Sequence, residues 1–316
     1  MRDYEHQRLD VNGIQLSLYS AGPANGRPVW LLHGFPECWY AWHPQIDALA
    51  AAGYRVHAPE MRGYGQSSAP REIGAYALLT LCDDILGAMD TLGERTVCVV
   101  GHDWGAVVAW HLALRAPERV QALGAFSVPY GGRPKRPATE IIREASAGRF
   151  NYILHFQEPG VAEAELDADI ERSLRLLLGE LDRTLLHDRP AGHGLFDGLP
   201  AYPPLPAWCD ADTFDAYRQS LARGFHGPLN WYRNFERNWE ETAPFAGQLV
   251  TPPTLFLVGD NDPVARLEAH TLKRMADVVP HLEQHRLPNC GHWLQGEQPQ
   301  RVNALLLDFL ARHYPA

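Results

Sequence analysis

Asp103 sits in the stretch Gly101-His102-Asp103-Trp104-Gly105-Ala106, after the apolar run Val97-Cys98-Val99-Val100 and before a helical pattern over 107–114. A strand, a sharp glycine-flanked turn and a helix form a nucleophile elbow, here with aspartate where serine is usual. The exchange of residue changes the chemistry. A serine oxygen attacking a saturated carbon would leave an ether, which water cannot readily cleave. A carboxylate attacking the same carbon leaves an ester, which water can cleave. With a reference pKa of about 3.9, the carboxylate is already ionised near neutrality and needs no base to activate it. The elbow therefore points to covalent opening of an electrophilic sp3 carbon.

Such a nucleophile needs an acid and a base, which follow it in that order along the chain. Gly259-Asp260-Asn261-Asp262-Pro263 comes after a strand-like run at 254–258, and either Asp260 or Asp262 can be the acid. Asn289-Cys290-Gly291-His292-Trp293 follows the last strand-like segment and places His292 at the mouth of the site. His292 would take a proton from the water that attacks the ester, while the acid fixes its tautomer and stabilises the imidazolium. The chain has 15 histidines, so type alone means little; at His292 strand, glycine and chain order agree. His33-Gly34-Phe35-Pro36-Glu37 follows the strand-like run at 29–32, the position that supplies a second oxyanion donor. The expected donors are the backbone N–H groups of Phe35 and Trp104.

These residues need a scaffold that brings strand ends together. Asn12-Gly13 reads as a hairpin turn between strands at 7–11 and 14–19. Short continuous apolar runs at 29–32 and 254–258 read as strands buried on both faces. Further strands are expected at 54–58, 122–128 and 283–287. Helical spacing marks 77–92 and 302–312. Strands alternating with helices imply a mainly parallel sheet flanked by helices, with the catalytic groups at the strands' C-terminal ends. The interval 131–245 differs. It shows helical patterns at 161–181, 214–221 and 229–239, the last started by Pro228, and a Gly/Pro-rich loop from Pro190 to Pro206. It reads as a helical cap inserted into a core made of 1–130 and 246–316.

Composition narrows the function. Among 316 residues, 46% are hydrophobic and 21% charged, ordinary values for a globular protein. A net charge of -10 speaks against nucleic acid as a partner. The first seven residues lack the apolar core of a signal peptide, and no apolar run approaches the ~18 residues of a membrane span. Five scattered cysteines without paired spacing read as reduced residues of a cytoplasmic protein, with no disulfide framework or zinc site. No phosphate loop, metal-ligand cluster or basic nucleic-acid patch competes with this reading, and the expected chemistry is independent of metal and cofactor.

Together these segments resemble the α/β-hydrolase fold epoxide hydrolases, above all the hydrolase domain of the soluble epoxide hydrolases. The resemblance runs from His33-Gly34-Phe35-Pro36-Glu37-Cys38-Trp39-Tyr40 through the elbow to Cys290-Gly291-His292-Trp293. It includes the cap, in Phe150-Asn151-Tyr152, Phe156-Gln157-Glu158-Pro159-Gly160 and Gly227-Pro228-Leu229-Asn230-Trp231-Tyr232. It implies conversion of epoxides and water to vicinal diols through an aspartyl ester, and a detoxifying role. It also implies that the acid is Asp262, that Tyr152 and Tyr232 bind and protonate the epoxide oxygen, and that the Phe35–Pro36 peptide is cis. A phenol suits that role, because with a reference pKa of about 10 it stays protonated at neutral pH and can donate to a forming alkoxide. Ala106, Glu60 and His155 depart from the family pattern without touching these groups. The phosphatase domain of the long soluble enzymes is missing, so phosphatase activity is not expected.

Trp39, Phe126, Phe156, Trp231 and Trp293 are expected to line an aromatic pocket, around a small-molecule substrate and in a monomer or homo-oligomer. Two other readings share the scaffold. A haloalkane or haloacid dehalogenase uses the same Asp–His–Asp chemistry, but it needs halide donors and no tyrosine pair, and an ionised Glu37 would repel halide beside Phe35. A non-catalytic ligand receptor would not need the complete set of Asp103, Asp262, His292 and two tyrosines.

Overall fold

The computed structural model describes residues 4–186 and 188–316; Met1, Arg2 and Asp3, part of the stretch read for a signal peptide, lie outside them. Eight strands form one sheet: β1 (Glu5–Val11), β2 (Ile14–Ala21), β3 (Pro28–Leu32), β4 (Arg55–Glu60), β5 (Val97–His102), β6 (Val120–Phe126), β7 (Thr254–Gly259) and β8 (Leu282–Leu287). Their order is β1-β2-β4-β3-β5-β6-β7-β8, antiparallel at the β1-β2-β4 end and parallel from there on. This is the α/β-hydrolase fold expected from the alternating pattern. Asn12 and Gly13 both take positive φ, 46° and 74°, as the two-residue hairpin turn between β1 and β2 requires. The interior strands β3, β5 and β7 are buried along nearly their whole length, which is why their sequences read as unbroken apolar runs.

Helices cover the sheet: α1 (His43–Ala51), α2 (Leu78–Thr91) and α3 (Trp104–Arg115) come before the insertion. Between β6 and β7 the described residues hold α4 (Ala138–Ser146), α5 (Tyr152–His155), α6 (Val161–Leu166), α7 (Ile170–Gly179), α8 (Leu181–Leu186), α9 (Ala211–Ser220), α10 (His226–Arg233) and α11 (Phe235–Glu241). After β7 come α12 (Pro263–Leu267), α13 (Ala269–Val278), α14 (Leu294–Glu297) and α15 (Pro299–His313). Two expected helices are broken. The stretch 161–181 divides because the Asp169 carboxylate accepts the Arg172 N–H at 2.9 Å and starts a new helix. The stretch 229–239 divides at Asn234, whose side-chain amide donates to the carbonyls of Asn230 (2.8 Å) and Ile73 (2.7 Å). Its first part also begins at His226, two residues ahead of Pro228.

Candidate active site

The register of the parallel strands decides what meets at their ends. Leu32 of β3 pairs with Gly101 of β5, and His102 of β5 pairs with Phe126 of β6. The turn after β3 therefore lies beside the turn after β5. Asp103 adopts φ 52° and ψ -120°, a conformation rare for a side-chain-bearing residue and typical of a strained functional turn. Gly105 permits that turn: a Cβ there would stand 2.0 Å from the Leu32 carbonyl oxygen. The Phe35 N–H donates to Asp103 Oδ1 at 2.8 Å, and the Phe35–Pro36 peptide that follows is cis. Trp104 opens α3, so its N–H is among the first-turn donors that a helix leaves unpaired. Behind the turn, His33 is fully enclosed, and burial pulls its pKa down to about 4. The neutral ring bridges the Gly34 carbonyl (3.0 Å) and the Met61 N–H (3.0 Å), which pins the turn.

His292 is held at both ring and backbone. Its Nδ1 lies 3.0 Å from Asp262 Oδ1 and its Nε2 lies 3.7 Å from Asp103 Oδ2. Asp262 caps α12, accepting the Val264 N–H at 2.8 Å with the same oxygen that meets His292. Burial works against its charge, but His292 and these hydrogen bonds hold its carboxyl below the usual value. Asp260, the other candidate, lies at the surface 3.7 Å from Arg286 and away from the imidazole. Glu297 grips the backbone on either side of His292, accepting the N–H groups of Gly291 (2.6 Å) and Trp293 (3.0 Å). The His292 carbonyl is bound by the Ser127 hydroxyl (2.9 Å) and by His102 Nε2 (2.8 Å).

His102, Ser127, Glu297 and Gln295 carry no mark in the sequence, because nothing in their neighbours announces contacts made with distant parts of the chain. Glu37 also supports the turn: it is fully buried, 2.7 Å from His102 Nδ1 and bonded to Gln295 Nε2 (2.6 Å) and the Gly34 N–H (3.2 Å).

Asp103, His292, Tyr152 and Tyr232 open onto one small cavity, shared with Phe35, Pro36, Phe156 and Trp293. The two tyrosine rings stand 6.2 Å apart, edge to face. Burial, and then the charge of Asp103, push both phenols well above their ordinary pKa, so both keep their protons at neutral pH. Three expected pocket residues lie elsewhere. Trp39 stacks on Tyr19 with ring centres 3.7 Å apart, and Phe126 packs on Trp42 inside the core. Trp231 donates its indole N–H to the Arg62 carbonyl at 3.1 Å. Aromatic rings fill cores as readily as pockets, and their type could not separate the two. In their place the wall uses Leu177, Leu181, Leu185, Leu195 and Val264. The first three recur at every fourth position, which was the available signal. Among the described residues no group of three His, Cys, Asp or Glu side chains could hold a metal ion. Nor, among them, is any helix long and apolar enough to cross a membrane.

Known proteins share both sequence and shape with this chain. Residues 27–299 match the family model of the alpha/beta hydrolase fold. Epoxide hydrolase A of Mycobacterium tuberculosis is 44% identical over 311 residues, covering 96% of each chain. Bifunctional epoxide hydrolase 2 of Sus scrofa is 41% identical over 94% of this chain, which spans 53% of that longer relative. The crystal structure of epoxide hydrolase A from Mycobacterium thermoresistibile superposes with a TM-score of 0.92 at 42% identity, covering 98% of each chain. With a family match over most of its length and relatives this similar end to end, the chain belongs to the epoxide hydrolases of the α/β-hydrolase fold.

Proposed function

We propose that this epoxide hydrolase converts its substrate to a vicinal diol in two steps, with Asp103 as the covalent nucleophile. In the first, a carboxylate oxygen of Asp103 attacks an epoxide carbon, the ring C–O bond breaks, and Tyr152 and Tyr232 stabilise and protonate the leaving oxygen. In the second, His292 takes a proton from water, whose oxygen attacks the carbonyl carbon of the ester. The N–H groups of Phe35 and Trp104 hold the oxyanion, an effect worth about 3 kcal/mol per donor in other enzymes. Collapse breaks the acyl C–O bond, and the departing diol oxygen takes the proton of the regenerated Asp103 carboxyl. A proton passed from the imidazolium between the two steps restores the tyrosine, while Asp262 orients the imidazole throughout. Neither step calls on a metal or redox cofactor.

One observation carries this reading: a carboxylate held by the Phe35 N–H and two protonated phenols share one small cavity with the imidazole. A nucleophile for carbon and acids for oxygen are what a strained cyclic ether needs on its two sides. The helices α4 to α11 between β6 and β7 act as the cap, over 131–245, because they supply both tyrosines to a core formed by 1–130 and 246–316. All five cysteines are free and buried, which supports a reducing, cytoplasmic setting. The chain acts as a monomer or homo-oligomer, and clearing reactive epoxides is its role. The test is product formation from styrene oxide beside a halide-release assay on a chloroalkane of similar size. Diol without halide is expected; halide without diol would overturn the reading.

A further inference from the structure

Leu195, one of the leucines in the cavity wall, lies in the loop after α8 and is gripped from both sides by charged groups. Its N–H donates to Glu165 Oε2 at 2.8 Å, and the next N–H, of Phe196, donates to Glu165 Oε1 at 2.8 Å. The Leu195 carbonyl accepts from Arg189 Nη1 at 2.5 Å, and the same nitrogen reaches the Gly194 carbonyl at 3.0 Å. The other arm of the guanidinium, Nη2, donates at 2.7 Å to the carbonyl of Thr184, the residue before Leu185 in the same wall. Glu165 Oε2 also lies 3.2 Å from His155 Nε2 on α5, the short helix that begins with Tyr152.

Ordinary loop carbonyls and amides are satisfied by water or by other backbone groups. Here an arginine only 3% exposed and a largely covered glutamate serve them instead. Desolvating each charge is costly and is recovered only through good hydrogen-bond geometry. Burial opposes ionisation of Glu165, yet the bonds from His155, Leu195 and Phe196 hold its carboxyl below the usual range, so it binds as an anion. An anion on the amides and a cation on the carbonyls of one residue leave that residue little freedom to move. The side chain so fixed faces the space that a substituent on the epoxide must fill.

We propose that Glu165 and Arg189 are positioning residues that clamp Leu195 and thereby set the bulk of epoxide the cavity accepts. The inference rests on reading the cavity as the epoxide site. The cavity is small, and the side chains that α7, α8 and the following loop bring to it are leucines. A compact apolar substituent on the epoxide fits that wall, and a rigid, wide one demands that Leu195 yield. The clamp therefore acts on substrate choice, while Asp103 and His292 perform the chemistry on whichever epoxide enters.

The experiment measures kcat/KM of the full chain for propylene oxide and for trans-stilbene oxide, with thermal midpoints recorded in parallel. Glu165→Gln replaces one accepting oxygen by a donor, and Arg189→Lys keeps the charge but loses the two-armed reach. Either is expected to raise the ratio of bulky to compact substrate by about 10-fold, the size of effect that small changes in an apolar pocket commonly carry. Leu195→Ala, which empties the wall and leaves the clamp in place, should move the ratio in the same direction. Should Glu165→Gln fail to fold, Arg189→Lys carries the comparison. A lower thermal midpoint with both substrates slowed equally would mean a structural role alone and would overturn the clamp. Conversion of neither epoxide by the unaltered protein would overturn the underlying reading instead.

Discussion

Nε2 of His292 lies 3.7 Å from Oδ2 of Asp103, while Asp262 Oδ1 stands 3.0 Å from its other nitrogen. Burial of the ring disfavours its charge, but the two carboxylates outweigh it and push the pKa up to about 10. At neutral pH the resting imidazole therefore holds two protons and cannot act as a base. In the proposed mechanism, forming an ester on Asp103 removes one of the two negative charges, and the imidazolium passes a proton to the tyrosinate left by ring opening. The first chemical step then prepares the base for the second. Asp103→Asn should lower the His292 pKa, read by NMR titration of the ring, and an unchanged value would refute this coupling. A pKa raised on folding stabilises the protein fully below the ordinary histidine value of 6.5, and that contribution is lost as pH rises toward about 10. Across that window the thermal midpoint should fall more steeply for the wild type than for His292→Gln.

The covalent route has a signature in isotopes and in mass. A single turnover in heavy-oxygen water should place the label in Asp103 and release an unlabelled diol, because water attacks the ester carbonyl. Label in that first diol would mean direct attack by water on the epoxide. His292→Gln should still be alkylated by substrate but should not release product, so intact mass spectrometry should find one adduct per chain. Turnover of that variant at the wild-type rate would place the base elsewhere.

In the proposed mechanism Tyr152 and Tyr232 share the oxygen side. Each Phe variant should slow alkylation by about 100- to 10,000-fold if acid catalysis has its usual weight, and the double variant should be nearly inactive in ring opening. The deficit should appear in single-turnover alkylation and leave hydrolysis of a preformed ester unaffected. Full activity in the double variant would remove the tyrosines from the mechanism.

Gly34 carries no side chain because Asp103 occupies the space. A Cβ there would lie 2.5 Å from both Cβ and Oδ1 of Asp103 and 2.7 Å from the His102 carbonyl oxygen. Gly34→Ala should displace the carboxylate from the Phe35 N–H and cost about 1–3 kcal/mol of stability, as forced overpacking does. The expected outcome is a lower denaturation midpoint together with lost alkylation. Normal activity at normal stability would mean that the turn can shift without consequence.

Local chemistry made much of this protein legible from its residues. Glycines around Asp103, the unbroken apolar runs of β3, β5 and β7 and the positive-φ pair Asn12-Gly13 are each forced by short-range sterics or by burial on both faces, and they left their mark in adjacent positions. The helix breaks at Asp169 and Asn234 were harder to read, because apolar periodicity runs on across them while a single side chain captures a backbone group.

What the chain alone determined was the carboxylate at the elbow, the elbow itself and the order in which its proposed partners arrive. The resemblance narrowed the acid to Asp262; the contact that distinguishes it from Asp260 exists only in three dimensions, where one oxygen caps α12 and meets the imidazole while the other aspartate faces Arg286. The same holds for the grip of His102 on the His292 carbonyl, for the leucines that stand in the pocket wall in place of Trp39, Phe126 and Trp231, and for the ions around Leu195. Residue type specifies what a group can do. Which group faces which is decided by strand register and helix packing, which join positions far apart in the chain.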